Sequence, residues 1–118
     1  MELKEIRLDN QLTHLALIGK MDVQGLHAVD VKFHGYTAAR RRPTLVDVSQ
    51  LEFISSLGMG MFISCAQSLR RYKAKLVLLN PQPMVEEAMN AVGLGEATPI
   101  AHSMEEAMTL LFPASATP

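Results

Sequence analysis

A single cysteine, Cys65, stands in a chain of 118 residues. That excludes an intrachain disulfide and leaves no thiolate set for a metal cage. Strong charge of either sign is also missing. Eleven Lys and Arg against twelve Asp and Glu give a formal net charge of −1, so no global field draws the chain toward nucleic acid or an anionic membrane. No apolar run approaches the ~20 residues that span a bilayer. The opening "MELKEIRLDNQLTHL" lacks the charged-then-apolar order of a secretory signal. A cytoplasmic setting is expected, with no membrane insertion and no direct nucleic-acid binding. Apolar side chains are abundant, at 48% of the chain, enough for one packed core at this length.

"ELKEIRL" and "LTHLALIG" read as two strands joined by the turn "DNQ". Leu3, Ile6, Leu8, Leu15, Leu17 and Ile18 are expected to supply most of the hairpin's apolar contacts. From Asp22 the spacing of Val23, Leu26, Val29 and Phe33 predicts a helix, which "RRRP" closes. "TLVDVSQLEFI" and "KLVLLN" are nearly continuous apolar runs, as in strands covered on both faces. Between them a helix after Ser56 carries Met61, Phe62, Cys65, Leu69 and Tyr72 on one side. "PQPMVEEAMNAVGL" has proline at its start and Gly93 at its stop, the helical asymmetry of termini. "ATPIAHS" reads as a short last strand. Ser103 and Glu106 form a capping box for a final helix. The order β-β-α-β-α-β-α-β-α predicts an α/β fold with a mixed, mostly parallel sheet of about five strands and four helices mainly on one face. The last residues, "PASATP", are expected to be a disordered tail.

Catalytic templates fail on "ISSLGMG". A nucleophile elbow needs glycine two residues before the serine, where Ile54 stands. A dinucleotide fingerprint would need a third glycine at Ile63, and a Walker loop its Gly-Lys-Ser/Thr ending. His14, His27, His34 and His102 form no metal or triad signature, and Cys65 reads as a small buried hydrophobe. No catalytic set, metal or cofactor is expected. Arg40, Arg41, Arg42, Arg70, Arg71 and Lys73 all fall at expected helix C-termini, where positive charge is favourable.

The helix opening at Ser56 is weakened by Gly58 and Gly60, at a cost of roughly 2 kcal/mol relative to alanine. Ser56 is placed as the N-cap, its hydroxyl accepting from the N–H of residue 58 or 59. A helix N-terminus also suits a phosphate, and a phosphoryl group there adds about −1.5 to −2 charges. Glycines without side chains leave the first turn bare for the close approach of another protein. Met59 and Ile63 lie four apart and share a face off the Met61–Cys65–Leu69 stripe. They are expected to form an exposed apolar patch.

"TLVDVSQLEFISSLGMGMF", "KLVLLNPQPMVEEAMNAVGL" and "SMEEAM", in this order of elements, resemble a STAS domain of the bacterial anti-sigma factor antagonist type. The family pattern is an apolar strand ending in Asp-x-Ser, then commonly Asp-Ser-Ser/Thr-Gly-Leu-Gly opening a helix. Asp47 and Ser49 match the strand end, and Ser56 falls on the family's phosphorylated serine. Gly58, Met59 and Gly60 fall on its Gly-Leu-Gly. Ser55 replaces the usual aspartate, and is a second candidate acceptor; Leu57 replaces the serine or threonine.

The resemblance implies one STAS domain over residues 1–112, with residues 113–118 as the tail, and a switch protein rather than an enzyme. Unphosphorylated, it would bind a GHKL-type anti-sigma factor/serine kinase and release that partner's client. Phosphorylation at Ser56 would end the binding and a PP2C-type phosphatase would restore it. The implied partner surface is Ser55, Ser56, Leu57, Gly58, Met59 and Ile63, flanked by Lys20 and Asp22, with Asp47, Ser49 and Gly60 shaping the site. The alternative is a non-phosphorylated STAS subunit of a larger assembly, such as a lipid-transport ABC complex.

Overall fold

The computed structural model describes residues 1–113. Strands β1 (Glu2–Leu8) and β2 (Thr13–Met21) form the expected antiparallel hairpin, followed by α1 (Val23–Tyr36). Asp9 closes the hairpin turn: one carboxylate oxygen accepts from the N–H groups of Gln11 and Leu12, at 2.8 and 2.9 Å. Leu15 and Leu17 are fully buried, but Ile6 is 47% exposed. The register slips between Glu5 and Arg7, and the bulge turns Ile6 away from the core, correcting the expectation for that residue.

The stretch "TLVDVSQLEFI" divides into two strands, β3 (Thr44–Asp47) and β4 (Leu51–Ile54). The break has a local cause. The Asp47 carboxylate accepts from Ser49 N–H at 2.8 Å, and Leu51 N–H bonds back to Val48 C=O at 3.1 Å. Both strands run parallel to β2, β3 along residues 13–16 and β4 along residues 19–21.

Beyond α2 (Ser56–Arg70) come β5 (Leu76–Leu79), α3 (Pro83–Ala91), a short α4 (Leu94–Ala97), β6 (Ile100–Ala101) and α5 (Met104–Leu111). The main sheet has the order β1-β2-β3-β5-β6, with β4 pairing β2, and is parallel except for the first hairpin. Its six strands and five helices exceed the expected number through the β3–β4 break and α4. Gly93, at φ 69°, ends α3 and caps α4, a left-handed position that glycine adopts without strain. Pro83 opens α3 as expected.

Two apolar layers sandwich the sheet. Leu15, Leu17, Val46, Leu76 and Leu78 pack with residues of α1, α2, α3 and α4. Leu45, Val77 and Leu79 face the other way, onto Ala107 and Leu111 of α5. Alternate residues of β3 and β5 therefore serve different cores, which explains their unbroken apolar runs. Ser103 caps α5 on Glu106 N–H at 3.0 Å, while the Glu106 carboxylate reaches His102 N–H at 3.2 Å. The expected tail falls, from residue 114 onward, outside the described residues.

Candidate functional site

The parallel ladder places the end of β4 beside the end of β2. Met21 pairs Ile54, Lys20 pairs Phe53, and Ser55 N–H donates to Met21 C=O at 2.9 Å. α1 and α2 thus start side by side at the C-terminal edge of the sheet. Asp22 caps α1 by accepting from Gly25 N–H at 2.8 Å. Lys20 and Asp22, together with Glu52, line a hollow at the opening of α1.

The cap of α2 is Ser55, not Ser56. Ser55 has the extended backbone of an N-cap, φ −87° and ψ 166°, and its Oγ accepts from Gly58 N–H at 3.1 Å. Ser56 is the first helical residue and is exposed. The hydrogen bond from Ser55 N–H to Met21 C=O fixes Ser55 as the last extended residue, so the helix begins at Ser56, one residue earlier than its sequence pattern suggests. The consequence for chemistry is direct: Ser55 Oγ is engaged by the backbone, and Ser56 Oγ lies outside the cap bond.

The two glycines of the first turns differ. A Cβ on Gly58 would lie 2.3 Å from Met21 Sδ and 2.7 Å from its Cγ, whereas one on Gly60 meets nothing within 4 Å. Gly58 is buried and its bareness admits Met21, a fully buried core residue. Gly60 alone presents open surface. Gly58 therefore shapes the packing and Gly60 the exposed face, the reverse of the roles expected from the sequence.

Met59 also departs from expectation. It is only 7% exposed and belongs to the main core, with Ile63 partly buried against it. α2 packs on both the sheet and α1, where Phe33 and Phe62 meet edge to face at 5.6 Å. A helix gripped from two sides buries a wider arc than the Met61–Cys65–Leu69 stripe. The exposed apolar residues are instead Leu57 at 60%, Phe53 at 49% and Val23 at 64%. Leu57 forms a groove of about 400 Å³ with Val23, Leu26, His27 and Asp30. On another flank, Phe53 and the 83% exposed Met84 line a smaller hollow over Val85 and Ala88. Strand alternation would place Phe53 with Leu51, but Gly19 pairs Leu51 while Lys20 pairs Phe53, and the bulge at Glu52 leaves Leu51 and Ile54 buried and Glu52 and Phe53 exposed.

Asp47 and Ser49 stand behind the site. Ser49 C=O accepts from Gln82 Nε2 at 3.0 Å, tying the β3–β4 break to the residue that caps α3. Cys65 is fully buried, and burial pushes its thiol up to about 11, so it is neutral at physiological pH. Among the described residues, no group of three His, Cys, Asp or Glu side chains is arranged to hold a metal ion. The histidines are scattered. His34 pairs with Asp30 at 3.2 Å, His102 with Glu86 at 2.7 Å, and His14 is buried in β2 with Nε2 unpartnered. Burial lowers the His14 pKa below its ordinary value. No described helix is long and apolar enough to cross a membrane.

The STAS domain family model matches residues 4–107, and the chain belongs to that family. BtrV of Bordetella bronchiseptica, which is named for anti-sigma factor antagonism, is 33% identical over 66 residues, 56% of this chain and 57% of that protein. The match thus spans little more than half of that relative's length. Among solved structures, SpoIIAA in its unphosphorylated form, an anti-sigma factor antagonist, superposes with a TM-score of 0.73 at 19% identity, covering 92% of this chain and 95% of that one. The phosphorylated form of SpoIIAA, a cell fate determinant of Bacillus, superposes with a TM-score of 0.63 at 20% identity over 92% and 98% of the two chains.

Proposed function

We propose that this chain is an anti-sigma factor antagonist, a binding module switched by phosphorylation at Ser56. In the unphosphorylated state the mouth of α2 docks a GHKL-type anti-sigma factor/serine kinase, which releases its client. The observation that carries the reading is the division of labour between two adjacent serines. Ser55 holds the helix cap, so Ser56 presents an exposed hydroxyl on the first helical turn. A phosphoryl group on Ser56 meets the unpaired N–H groups and positive dipole end of α2, so it is tolerated by the fold. It also brings charge and hydration into a surface whose exposed apolar side chains are Leu57, Phe53 and Val23. An apolar partner face then loses its fit.

Docking rests on Leu57 and Phe53, with Gly60 allowing close approach and Lys20 and Asp22 on the flank. The kinase supplies the base for phosphoryl transfer, and a PP2C-type phosphatase returns the protein to the binding state. The chain itself acts as a partner, not as an enzyme. Its resemblance in fold to SpoIIAA, solved in both phosphorylation states, supports the reading. The test is incubation with a cognate GHKL-type kinase and ATP, followed by mass-spectrometric mapping. Stoichiometric phosphate on Ser56, lost in Ser56→Ala, is expected. Tight binding without label overturns the switch and favours a permanent subunit of a larger assembly.

A further inference from the structure

A second site lies at the opposite end of α2, and nothing in the proposed switch uses it. Ala66 and Ala74, Leu76 at the start of β5, and Pro99 before β6 enclose a cavity of about 390 Å³. This volume is within the range of small-molecule pockets. Three cations, Arg70, Lys73 and Lys75, stand on its rim, against a single acid, Glu96. Among the described residues none of the three cations is in an ion pair.

Positive charge at a helix C-terminus ordinarily complements the free carbonyls. Here that need is already met by the backbone. The N–H groups of Tyr72 and Ala74 both donate to Leu69 C=O, at 2.9 and 3.1 Å, and Lys73 N–H donates to Arg70 C=O at 3.0 Å. Lys73 itself takes φ 60°, a left-handed conformation that is unfavourable for a non-glycine residue. A glycine would close this turn without strain; the lysine instead puts a cation on the rim of the cavity. The neighbouring helix offers a comparison. Arg41, also left-handed at φ 58°, stacks its guanidinium 4.4 Å from the centre of the Tyr72 ring. The charge of Lys73 has no such occupation; it faces the cavity.

We propose that this cavity binds a small amphipathic organic anion, its apolar body on Ala97, Pro99 and the aliphatic stems of the rim, over the buried Ala66, Ala74 and Leu76, and its anionic group held by Lys73 and Lys75, with Arg70 beside them. An apolar floor under unpaired cations selects a ligand that carries both features. Neither inorganic phosphate nor a neutral alcohol satisfies it.

Amide chemical shifts of the full chain test the site, with submicellar octyl phosphate, inorganic phosphate and octanol as probes. Octyl phosphate is expected to give saturable shifts confined to residues 66–76 and 94–99, at least about tenfold tighter than either other probe. Lys73→Gln/Lys75→Gln is expected to weaken that binding by about tenfold or more while leaving the spectrum folded. Equal binding of inorganic phosphate overturns the proposal, as does an unaffected double variant. Shifts spread evenly over Arg41 and Arg42 reduce the feature to a diffuse basic surface. Lack of saturation also overturns it. Labelling of Ser56 is indifferent to every one of these outcomes.

Discussion

The two ends of α2 are built on opposite principles. At its N-terminus, a serine cap and a buried glycine let the helix grow directly out of β4, and the exposed Leu57, Phe53 and Val23 give that end an apolar face flanked by Lys20, Asp22 and Glu52. About 22 Å away, at 1.5 Å per residue, it ends in a left-handed turn surrounded by cations. Arg40, Arg41, Arg42, Arg70, Arg71, Lys73 and Lys75, most of the eleven Lys and Arg residues of the chain, follow α1 or α2 or close them. Right-handed crossovers in a parallel sheet bring both helix N-termini to one edge and both C-termini to the other. The net charge of −1 therefore hides a polar molecule with one edge suited to an apolar protein face and another suited to an anion.

The sharpest break in this contrast is expected from glycine. Gly58→Val drives a branched side chain into Met21 and should destabilise the fold by about 2–3 kcal/mol in urea unfolding. Gly60→Ala meets open space and should stabilise by up to about 1 kcal/mol, while weakening partner binding by adding bulk to the docking face. Equal effects on stability would erase the distinction between a packing glycine and a surface one.

Binding should separate from stability at the exposed residues. Leu57→Ala/Phe53→Ala is expected to lower affinity for the kinase by about tenfold or more, with unfolding free energy unchanged within about 0.5 kcal/mol. Titration calorimetry and denaturation of the same preparation read both. Unchanged affinity moves the docking surface away from the mouth of α2.

The serines carry a smaller and crossed effect. Ser55→Ala removes the cap and should cost about 1 kcal/mol of stability while Ser56 is still labelled. Ser56→Ala should leave stability nearly unaltered and abolish labelling. Phosphate on Ser55 in the wild-type protein would reverse these roles.

The subtlest expectation concerns acid, which acts on the hairpin. Asp9 is held down to about 2, first by the Gln11 N–H, then by Arg7 and the Leu12 N–H. Its stabilisation is complete above the ordinary carboxylate range and is lost as pH falls toward about 2. His14 is depressed first by burial and then by Arg7, with Asp47 opposing. The unfolded chain therefore takes up that proton first, and stability declines as pH drops below about 6.5. Thermal melts from pH 7 to 2 should show both limbs. His14→Leu should flatten the upper limb and Asp9→Asn the lower one.

Much of this architecture is legible in residue order. The apolar runs of β3 and β5 announce strands covered on both faces, and Pro83, Gly93, Ser103 and Glu106 mark helix ends where the structure has them. The β3–β4 break was not legible, because it depends on the Asp47 side chain competing for a backbone N–H and on β2 being long enough to pair both halves. The exposure of Ile6 is not legible, because a bulge has no signature in strand alternation. Nor is the burial of Met59, because the sequence reveals a helix's apolar stripe but not how many neighbours it will touch.

By itself the sequence determined the α/β class, the positions of the four longer helices and the two-serine, two-glycine motif at the opening of α2, since periodicity and capping chemistry are local. Only tertiary structure decided which serine caps and which is free, because the hydrogen bond between Ser55 N–H and Met21 C=O crosses from β4 to β2. It likewise decided which glycine is packing and which is surface, since Met21 is thirty-seven positions from Gly58 in the chain and in contact with it in the fold.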